Sequence, residues 1–316
     1  MTAKTPRASN SLSERMVRND DIFCSLLFDN ANGSIRIVDF RGGNFQTKHS
    51  FLERVLIGEH MRKIFTLIER DDMNGWQRVG YLREGTIPGY YKRSDAYIMS
   101  RIYDADWNGS DAAEESPWRK AFVADVKNLS REFVAAKNTG LKIEQVDNEE
   151  AVQLINEEIA RQVAQERKAA REKKKSGGAG RKLPALVERQ GDEPLFPQFS
   201  REIETYYVVA QNRRTRQLNL FGAEYQDCFG NAKVDVFFTP TTKAERTLAL
   251  TGINAFIDWL TEVGAVALFA LVPSNNLELN ALFSSAGFRN SGWLSRQIVT
   301  DDGIVDLVLW TRKLAG

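Results

Sequence analysis

Residues 249–288 decide the fold, and they read ALTGINAFIDWLTEVGAVALFALVPSNNLELNALFSSAGF. Apolar residues recur at helical spacing over 249–263 and stop at Gly264, which predicts a core helix ended by a glycine. The wholly apolar segment 265–272 follows and indicates a strand buried on both faces. A second apolar helix then stops at Gly287. A helix, a buried strand and a helix in succession are typical of an α/β fold.

The flanking segments predict further strands of the same sheet. Segments 205–210, 217–225 and 232–238 are separated by short polar turns, which favours three antiparallel strands. A last hairpin turns at Asp301-Asp302-Gly303. The N-terminal part predicts a hairpin, a helix and a buried strand at 63–69. We therefore expect a mixed sheet in both parts of the chain.

Composition shifts predict the domain organisation. Residues 147–175 are rich in Glu, Ala, Gln, Lys and Arg and predict a long charged helix with a narrow apolar stripe of Val152, Ile155, Ile159 and Val163. The run Ser176-Gly177-Gly178-Ala179-Gly180 then predicts a flexible linker. The expected organisation is a disordered tail at 1–21, an N-terminal half-domain at 22–104, a helical and flexible linker at 105–200, and a C-terminal domain at 201–316.

Charge and composition exclude several classes of protein. The chain has 43 Lys plus Arg against 42 Asp plus Glu, a net charge of +1, which argues against a globally basic nucleic-acid binder. Two cysteines and two histidines cannot form a thiolate-based zinc site, and we expect no metal. Segment 1–21 lacks the apolar core of a signal peptide, and we expect a cytoplasmic protein. The basic segment 167–182 remains either an RNA or membrane contact or a solvated helix end.

Several short motifs resemble one superfamily. Asn275–Phe283 leading into Ala286-Gly287-Phe288, followed by Asp306–Trp310, resembles the GNAT acyl-CoA-dependent N-acetyltransferases. Segments Arg36–Asn44 and Ile87–Tyr91, together with 95–100, resemble the β-lysine N-acetyltransferases. The resemblance implies a GNAT-like C-terminal domain and a smaller GNAT-related N-terminal domain, joined by the long charged helix. It also implies transfer of an acyl group from acetyl-CoA or another acyl-CoA to a small primary amine, such as an amino acid.

A pattern near the end of each half repeats. A glycine and an aromatic residue are followed by a second glycine five positions after the first, and then by an aspartate six positions before an arginine. These positions are Gly80, Gly85, Asp95 and Arg101 in the first half and Gly287, Gly292, Asp306 and Arg312 in the second. We interpret residues 22–103 as a reduced GNAT-like unit that lacks the front meander. The alternative is coincidence between two similar helix-and-hairpin endings.

The resemblance places the CoA pyrophosphate at the start of the core helix, where unpaired backbone N–H groups and the helix dipole attract anions. Members of the superfamily have glycines there, but Glu245 and Thr247 occupy the two positions in this chain. A carboxylate at this place repels phosphate, so the loop is degenerate. Lys243 and Arg246 are either phosphate ligands that compensate or ordinary charges at the start of a helix.

The resemblance implies further positions for cofactor and catalysis. The pantetheine arm would bind the exposed backbone of Phe237, Phe238 and Thr239, and an amide of Asn275 or Asn280 would contact the cofactor. Phe283 stands where many members have an acidic tyrosine, so no general acid is identified. Glu224 and Asp235 are candidates for the general base, with a solvent-facing position as the alternative.

Two functions therefore remain open at this level. The first is an acyl-CoA-dependent N-acyltransferase for a small amine. The alternative is a non-catalytic GNAT-like binding or scaffolding protein that has lost CoA. A protein partner or a homo-oligomer is compatible with either function, while nucleic acid and membranes fit the charge pattern poorly.

Overall fold

The computed structural model describes residues 12–18, 22–41, 44–103, 116–136, 141–175, 203–215, 217–300 and 303–314. Within α4, defined below, the side chains of Ile159, Gln162 and Val163 and those from 165 onward are outside the described part. Residues 176–200 of the predicted linker at 105–200, and with them the rest of the basic segment 167–182, also lie outside the described residues.

The N-terminal half contains six strands and two helices among its described residues. They are β1 (Leu12–Arg18), β2 (Phe23–Asp29), β3 (Ser34–Arg41), α1 (Phe45–Gly58), β4 (Lys63–Ile68), a 3-10 turn (Arg70–Asp72), α2 (Met73–Arg78), β5 (Leu82–Ile87) and β6 (Ala96–Ile102).

A third helix leads into the C-terminal half, which supplies the remaining strands. The elements are α3 (Pro117–Ser130), β7 (Leu141–Val146), α4 (Asn148–Lys175), β8 (Glu204–Asn212), β9 (Leu218–Gln226), β10 (Asn231–Val236), α5 (Lys243–Val263), β11 (Ala267–Pro273), α6 (Leu277–Ser285), β12 (Arg289–Thr300) and β13 (Gly303–Lys313). The mixed α/β class expected from the sequence is confirmed.

One mixed sheet of 13 strands runs through both halves, in the order β1-β2-β3-β4-β6-β5-β12-β13-β11-β10-β9-β8-β7. In each half an antiparallel meander pairs in parallel with the strand that follows the longer helix, and the last hairpin completes the half. Strand β6 lies between β4 and β5, as β13 lies between β11 and β12. The strands that carry Asp95–Arg101 and Asp306–Arg312 therefore occupy equivalent places in the two strand orders.

Equivalent side chains also make equivalent contacts. Arg101 Nη1 donates to the carbonyl of Val79 at 2.8 Å, just before Gly80. Arg312 Nη1 donates to the carbonyl of Ala286, just before Gly287, at 2.5 Å. In both halves a strand arginine thus binds a carbonyl at the C-terminal end of the second helix, where carbonyls lack partners within the helix.

The N-terminal half contains a front meander, formed by the antiparallel strands β1, β2 and β3. Strand β1 lies inside the segment expected to be a disordered tail, and all seven of its residues pair with β2. Its sequence lacks a clear alternation of apolar and polar residues. An edge strand does not need one, because it pairs with a single strand and has only one partly covered face. The expectation of a reduced unit without a meander is wrong.

The segment expected to be a linker also contributes to the C-terminal sheet. Strand β7 pairs with β8 from Leu141 to Val146. The first turns of α4 bury Val152 and Ile155 against Tyr207 on the same face. Helix α4 is therefore packed at its start, and the structured C-terminal half begins at β7 rather than at residue 201.

The faces of the sheet that carry no long helix pack against each other where the halves meet. Phe65 and Ile98 from the N-terminal half share a buried apolar cluster with Phe269, Leu294 and Leu309 from the C-terminal half. Among the described residues, no helix is long and apolar enough to cross a membrane. The contact between halves creates the site described next.

Candidate functional site

Strands β10 and β11 separate partway along their length. Their parallel pairing covers Asn231–Lys233 against Ala267–Phe269 and stops there. Asp235 and Leu271 lie beyond the last pair, one on each strand. Two diverging parallel strands expose backbone and side chains to the space between them, so this end of the sheet offers an opening.

A cavity of about 270 Å³ lies beside this opening, between the two halves. Its walls come from β1 to β4 on one side and from β10 to β13 on the other. Its polar and charged lining residues are Asp29, Asn32, Ser34, Arg36, Lys233, Asp235 and Gln297, and its apolar lining includes Leu27, Phe65, Leu271, Leu294 and Leu307. A concave space with a mainly apolar wall and a few charged groups is typical of a small-molecule site.

Three charged side chains form a cluster on the face of the sheet opposite α5. Lys233 Nζ contacts Asp235 Oδ2 at 2.5 Å, and Glu224 is the direct cross-strand partner of Lys233. Burial alone would lower the pKa of Lys233, but the charges of Asp235 and Glu224 outweigh it and raise that pKa. Lys233 is therefore an ammonium ion. Glu224 is 2% exposed, which rules out the solvent-facing alternative for that residue.

The N-terminal end of α5 is filled by the chain itself. Glu245 Oε2 accepts hydrogen bonds from the backbone N–H groups of Thr241 and Thr242, both at 2.9 Å, and from the Thr241 hydroxyl at 3.0 Å. Thr242 Oγ1 accepts from the Glu245 N–H at 3.3 Å, which completes a capping box. Burial works to raise the pKa of Glu245, yet these hydrogen bonds lower it overall. An anionic oxygen thus occupies the two backbone N–H groups that immediately precede the helix.

The other side chains expected near the pyrophosphate differ in availability. Arg246 binds Glu278 through Nη2 at 2.5 Å and Nε at 2.9 Å, and it also contacts Glu132. Lys243 is exposed and forms no ion pair with another described residue. The carbonyl of Thr247 accepts from the hydroxyl of Thr251 at 2.7 Å, inside the helix. Of these residues, Lys243 alone combines a positive charge with an open position.

Three polar groups in the segment just after β10 form hydrogen bonds within the protein. Phe237 N–H donates to the Leu220 carbonyl at 3.0 Å, and the Asn219 amide donates to the Phe238 carbonyl at 3.0 Å. The Asn276 amide donates to the Thr239 hydroxyl at 2.9 Å. Phe237, Phe238 and Thr239, the positions expected to bind pantetheine, therefore form hydrogen bonds with β9 and with the residue that caps α6.

The two candidate amides have different surroundings. Asn275 is exposed, whereas its neighbour Asn276 caps α6 by accepting from Leu279 N–H at 3.1 Å. Asn280 is fully buried, donates to the carbonyls of Pro273 and Asn276, and accepts from the Trp310 indole at 2.8 Å. Asn280 therefore holds α6 against β13. Phe283 lies in the same buried core, at 1% exposure.

Sequence reasoning missed the contribution of the N-terminal half to this site. Arg36 and Asp29 line the cavity more than 190 residues before Lys233 in the chain. The alternation of Ile35, Arg36 and Ile37 placed Arg36 on the opposite strand face from the isoleucines. The face on which Arg36 lies could therefore be predicted from the sequence. The strands of the C-terminal half that form the other wall of the cavity could not. In the described part of the chain, no three His, Cys, Asp or Glu side chains are grouped to hold a metal ion.

Comparisons with known proteins give matches to solved structures alone. No family profile matches the chain, and no curated protein matches it. A spermidine N-acetyltransferase SpeG chimera from Vibrio cholerae and hSSAT is 15% identical, covers 55% of this chain and 96% of its own, and has a TM-score of 0.38. A GCN5-related N-acetyltransferase from Kribbella flavida is 18% identical, with coverages of 55% and 98% and a TM-score of 0.36.

A third match is the Salmonella typhimurium protein yncA, solved with its cofactor acetyl-CoA. It is 14% identical, covers 56% of this chain and 95% of its own, and has a TM-score of 0.36. Scores at this level carry no functional conclusion for this chain.

Proposed function

We propose that this chain is a GNAT-type N-acyltransferase that binds a small primary amine in the cavity between its halves and takes the acyl group from acetyl-CoA or another acyl-CoA. One observation carries the proposal. The parallel strands β10 and β11 separate where the cavity begins, and Asp235 lies at that point. A carboxylate beside an opened pair of strands is suited to receive an amine.

Asp235 is the residue that we assign to the amine. A primary amine arrives as an ammonium ion and has to lose a proton before it attacks an acyl group, and a nearby carboxylate can accept that proton. Lys233, whose pKa is raised by Asp235 and Glu224 against the effect of burial, keeps a positive charge beside Asp235. Glu224, the cross-strand partner of Lys233, adds a second negative charge that raises the pKa of Lys233.

The start of α5 is the proposed place for the cofactor pyrophosphate. Its donors suit an anion, because two backbone N–H groups and a hydroxyl already converge on one carboxylate oxygen. Acyl-CoA, when bound, supplies the acyl group as a thioester. The side chain of Lys243 is exposed and can bind a phosphate oxygen. The Glu245 carboxylate has to release the N–H groups of Thr241 and Thr242 before a phosphate can accept from them. We therefore expect weak binding of CoA by the natural chain.

A second function is favoured by a separate observation. Glu245 occupies the N–H groups of Thr241 and Thr242. Arg246 is held by Glu278 and Glu132, and Phe283 stands at the position of the acidic tyrosine. These features fit a non-catalytic GNAT-like protein that binds a small molecule or a protein partner. The two functions differ in whether acyl-CoA binds at all.

Calorimetry with acetyl-CoA tests the proposal on the intact chain. The natural protein is compared with the double variant Glu245→Gly and Thr247→Gly, and Glu262→Gly serves as the control because Glu262 is an exposed acid on the same helix. We expect weak binding by the natural chain, about tenfold tighter binding by the double variant, and no change for the control. Release of free thiol in the presence of a primary amine measures transfer.

The outcomes separate the two functions. Binding with thiol release by either form supports the acyltransferase. Absence of binding by both forms overturns it and supports the binding protein. Tight binding by the natural chain would show that Glu245 does not compete with the pyrophosphate, and the degenerate-loop argument would be wrong.

A further inference from the structure

We infer that the acceptor amine of this cavity has an apolar body without a second charged group, and that Leu27 of the N-terminal half selects it together with Leu271 of the C-terminal half. The inference rests on the proposed function, because it concerns the substrate class of the same cavity. It narrows the broad class of small primary amines to monoamines with an aliphatic or aromatic body.

The first argument is that polar groups of the lining are already bonded to one another. Asp29 accepts from Asn32 through both of its oxygens, from the backbone N–H at 3.1 Å and from the side-chain amide at 2.7 Å. Asn32 Oδ1 accepts in turn from the Val299 N–H at 2.9 Å. A second charged group on a ligand would have to break these bonds, so it gains little at this wall.

The second argument is that other polar atoms of the lining residues are buried. Nε and Nη1 of Arg36 and Oε1 of Gln297 are not accessible to water. Arg36 also takes part in an interaction within the chain. A ligand that enters the cavity therefore meets the apolar side chains of the wall rather than these atoms.

The third argument is the position of two leucines on opposite walls. Leu26 and Phe28 belong to the helix-covered core of the N-terminal half, whereas Leu27 between them lines the cavity on the opposite face of β2. Leu271 lines the cavity from β11, two residues beyond the last pair with β10. Both leucines are partly exposed, although β2 and β11 are inner strands of the sheet. An apolar group that covers them is stabilised by removal of their surface from water.

Asp235 is the charged contact for the amine. It binds Lys233 through Oδ2, and its side chain is 23% exposed, so an ammonium ion can approach it. An amine held at Asp235 extends its body along Leu271 towards Leu27. A carboxylate or a second ammonium at that end would lose its hydration against leucine side chains, which is unfavourable.

Binding of matched amines to the full chain tests the inference without requiring acyl transfer. The probes are pentylamine, propylamine, which is two methylenes shorter, 5-aminopentanoate and 1,5-diaminopentane, each titrated with NMR detection. The variants are Leu27→Asn, which is similar in size but polar, and Leu27→Met, which stays apolar. Leu271→Asn repeats the test on the other wall. Leu82→Asn is the control, because Leu82 lies on β5 in the same half as Leu27 and is 57% exposed.

We expect the natural chain to bind pentylamine about tenfold more tightly than propylamine, since each buried methylene raises affinity about fourfold. It should bind pentylamine at least about tenfold more tightly than 5-aminopentanoate or 1,5-diaminopentane. Leu27→Asn and Leu271→Asn should each reduce the ratio of pentylamine to propylamine affinity at least about threefold. Leu27→Met and Leu82→Asn should preserve that ratio.

The ratio is used because a loss of folded protein affects both amines alike, and thermal unfolding of each variant checks this. Equal affinities for the two chain lengths would overturn the inference, as would tighter binding of 5-aminopentanoate or 1,5-diaminopentane than of pentylamine. An unchanged ratio in both Leu27→Asn and Leu271→Asn would overturn the assignment of the two leucines.

Failure of the inference is distinguishable from failure of the proposed function. Acetyl transfer to these amines without a preference for the apolar body removes the inference and leaves the acyltransferase standing. A preference that depends on Leu27, without any acetyl transfer, supports the inference on the cavity and removes the enzyme.

Discussion

Substitution of Gly292 by alanine should separate the two halves of the sheet. Gly292 on β12 pairs with Gly85 on β5, where the two halves of the sheet join. A Cβ atom on Gly292 would lie 2.3 Å from the Cα of Gly85 and 2.4 Å from the carbonyl oxygen of Glu84. Both neighbours are backbone atoms, so relief requires the strands to move apart.

The size of the effect follows from the contacts that depend on this approach. Carbon atoms in contact are normally about 3.5–4.0 Å apart, so the strands would have to separate by roughly 1 Å. Overpacking of this kind costs about 1–3 kcal/mol. Glu84 accepts from the Ser295 N–H at 2.8 Å, and Lys63 donates to the Ser295 carbonyl at 2.8 Å. Weakening each of these bonds adds about 1 kcal/mol, which gives a total of about 3 kcal/mol or more.

The partner glycine provides an internal comparison. A Cβ on Gly85 would meet the Cδ2 atom of Leu309 at 2.7 Å, and its closest backbone atom would be 3.3 Å away. The end of a leucine side chain can rotate, so Gly85→Ala should cost about 1 kcal/mol. Gly58→Ala is the control, because a Cβ there meets nothing within 4 Å. It should stabilise the chain by about 0.4–1 kcal/mol through the unfolded state.

Urea unfolding of the three variants measures these differences. The predicted order of stability is Gly58→Ala above the natural chain, then Gly85→Ala, then Gly292→Ala. If Gly292→Ala were as stable as the natural chain, the close junction of β5 and β12 would be refuted.

Three further outcomes follow from single sites. Burial and the charge of Asp39 raise the pKa of Cys24 to about 11, so a thiol reagent at pH 8 should modify exposed Cys228 alone in the folded chain and both cysteines in denaturant. Lys63→Met should cost about 3 kcal/mol or more in urea unfolding, because it leaves the buried Glu84 carboxylate without its partner at 2.7 Å. Lys63→Met with Glu84→Leu should recover part of this loss, since the Ser295 N–H then lacks its acceptor. Glu245→Ala should lower stability by about 1 kcal/mol at neutral pH, because it removes the carboxylate that completes the capping box. The pKa of Glu245 is lowered on folding, so its contribution is present above its ordinary value of 4.5 and is lost as the pH falls through the folded pKa; equal urea midpoints at neutral pH would contradict the capping role.

Much of the C-terminal half could be predicted from local patterns. The spacing of apolar residues before Gly264 predicts α5, and Gly264 adopts a left-handed φ of 112° at its C-terminal end. The apolar run 265–272 corresponds to β11, whose first four residues are buried. These elements are predictable because each buries a face defined by residues close together in the chain.

The elements that were missed depend on distant partners. Strand β1 has three consecutive exposed residues and is held by its pairing with β2. Strand β7 pairs with β8, which lies beyond the segment 176–200 in the chain. Neither strand shows enough alternation of apolar and polar residues to be predicted from its sequence. Both are edge strands, and their extended conformation is stabilised by pairing with the neighbouring strand.

The candidate site could be predicted only in part, because it too depends on residues that are distant in the chain. The departure at Glu245 is visible in the sequence, but its hydrogen bonds to Thr241 and Thr242 required the helix geometry. Lys233 was not recognised as the partner of Asp235, although the two are two residues apart on one strand face. Arg36 required knowledge that the two halves face each other, which no local spacing contains.

The complex of the chain with pentylamine, a short primary amine, determined by crystallography, tests most directly whether the cavity between the halves is the acceptor site. We predict the ligand amine within hydrogen-bond distance of the Asp235 carboxylate, with its methylene groups along Leu271 and Leu294. A saturating ligand bound outside the cavity, or bound inside it without contact to Asp235, would contradict the account.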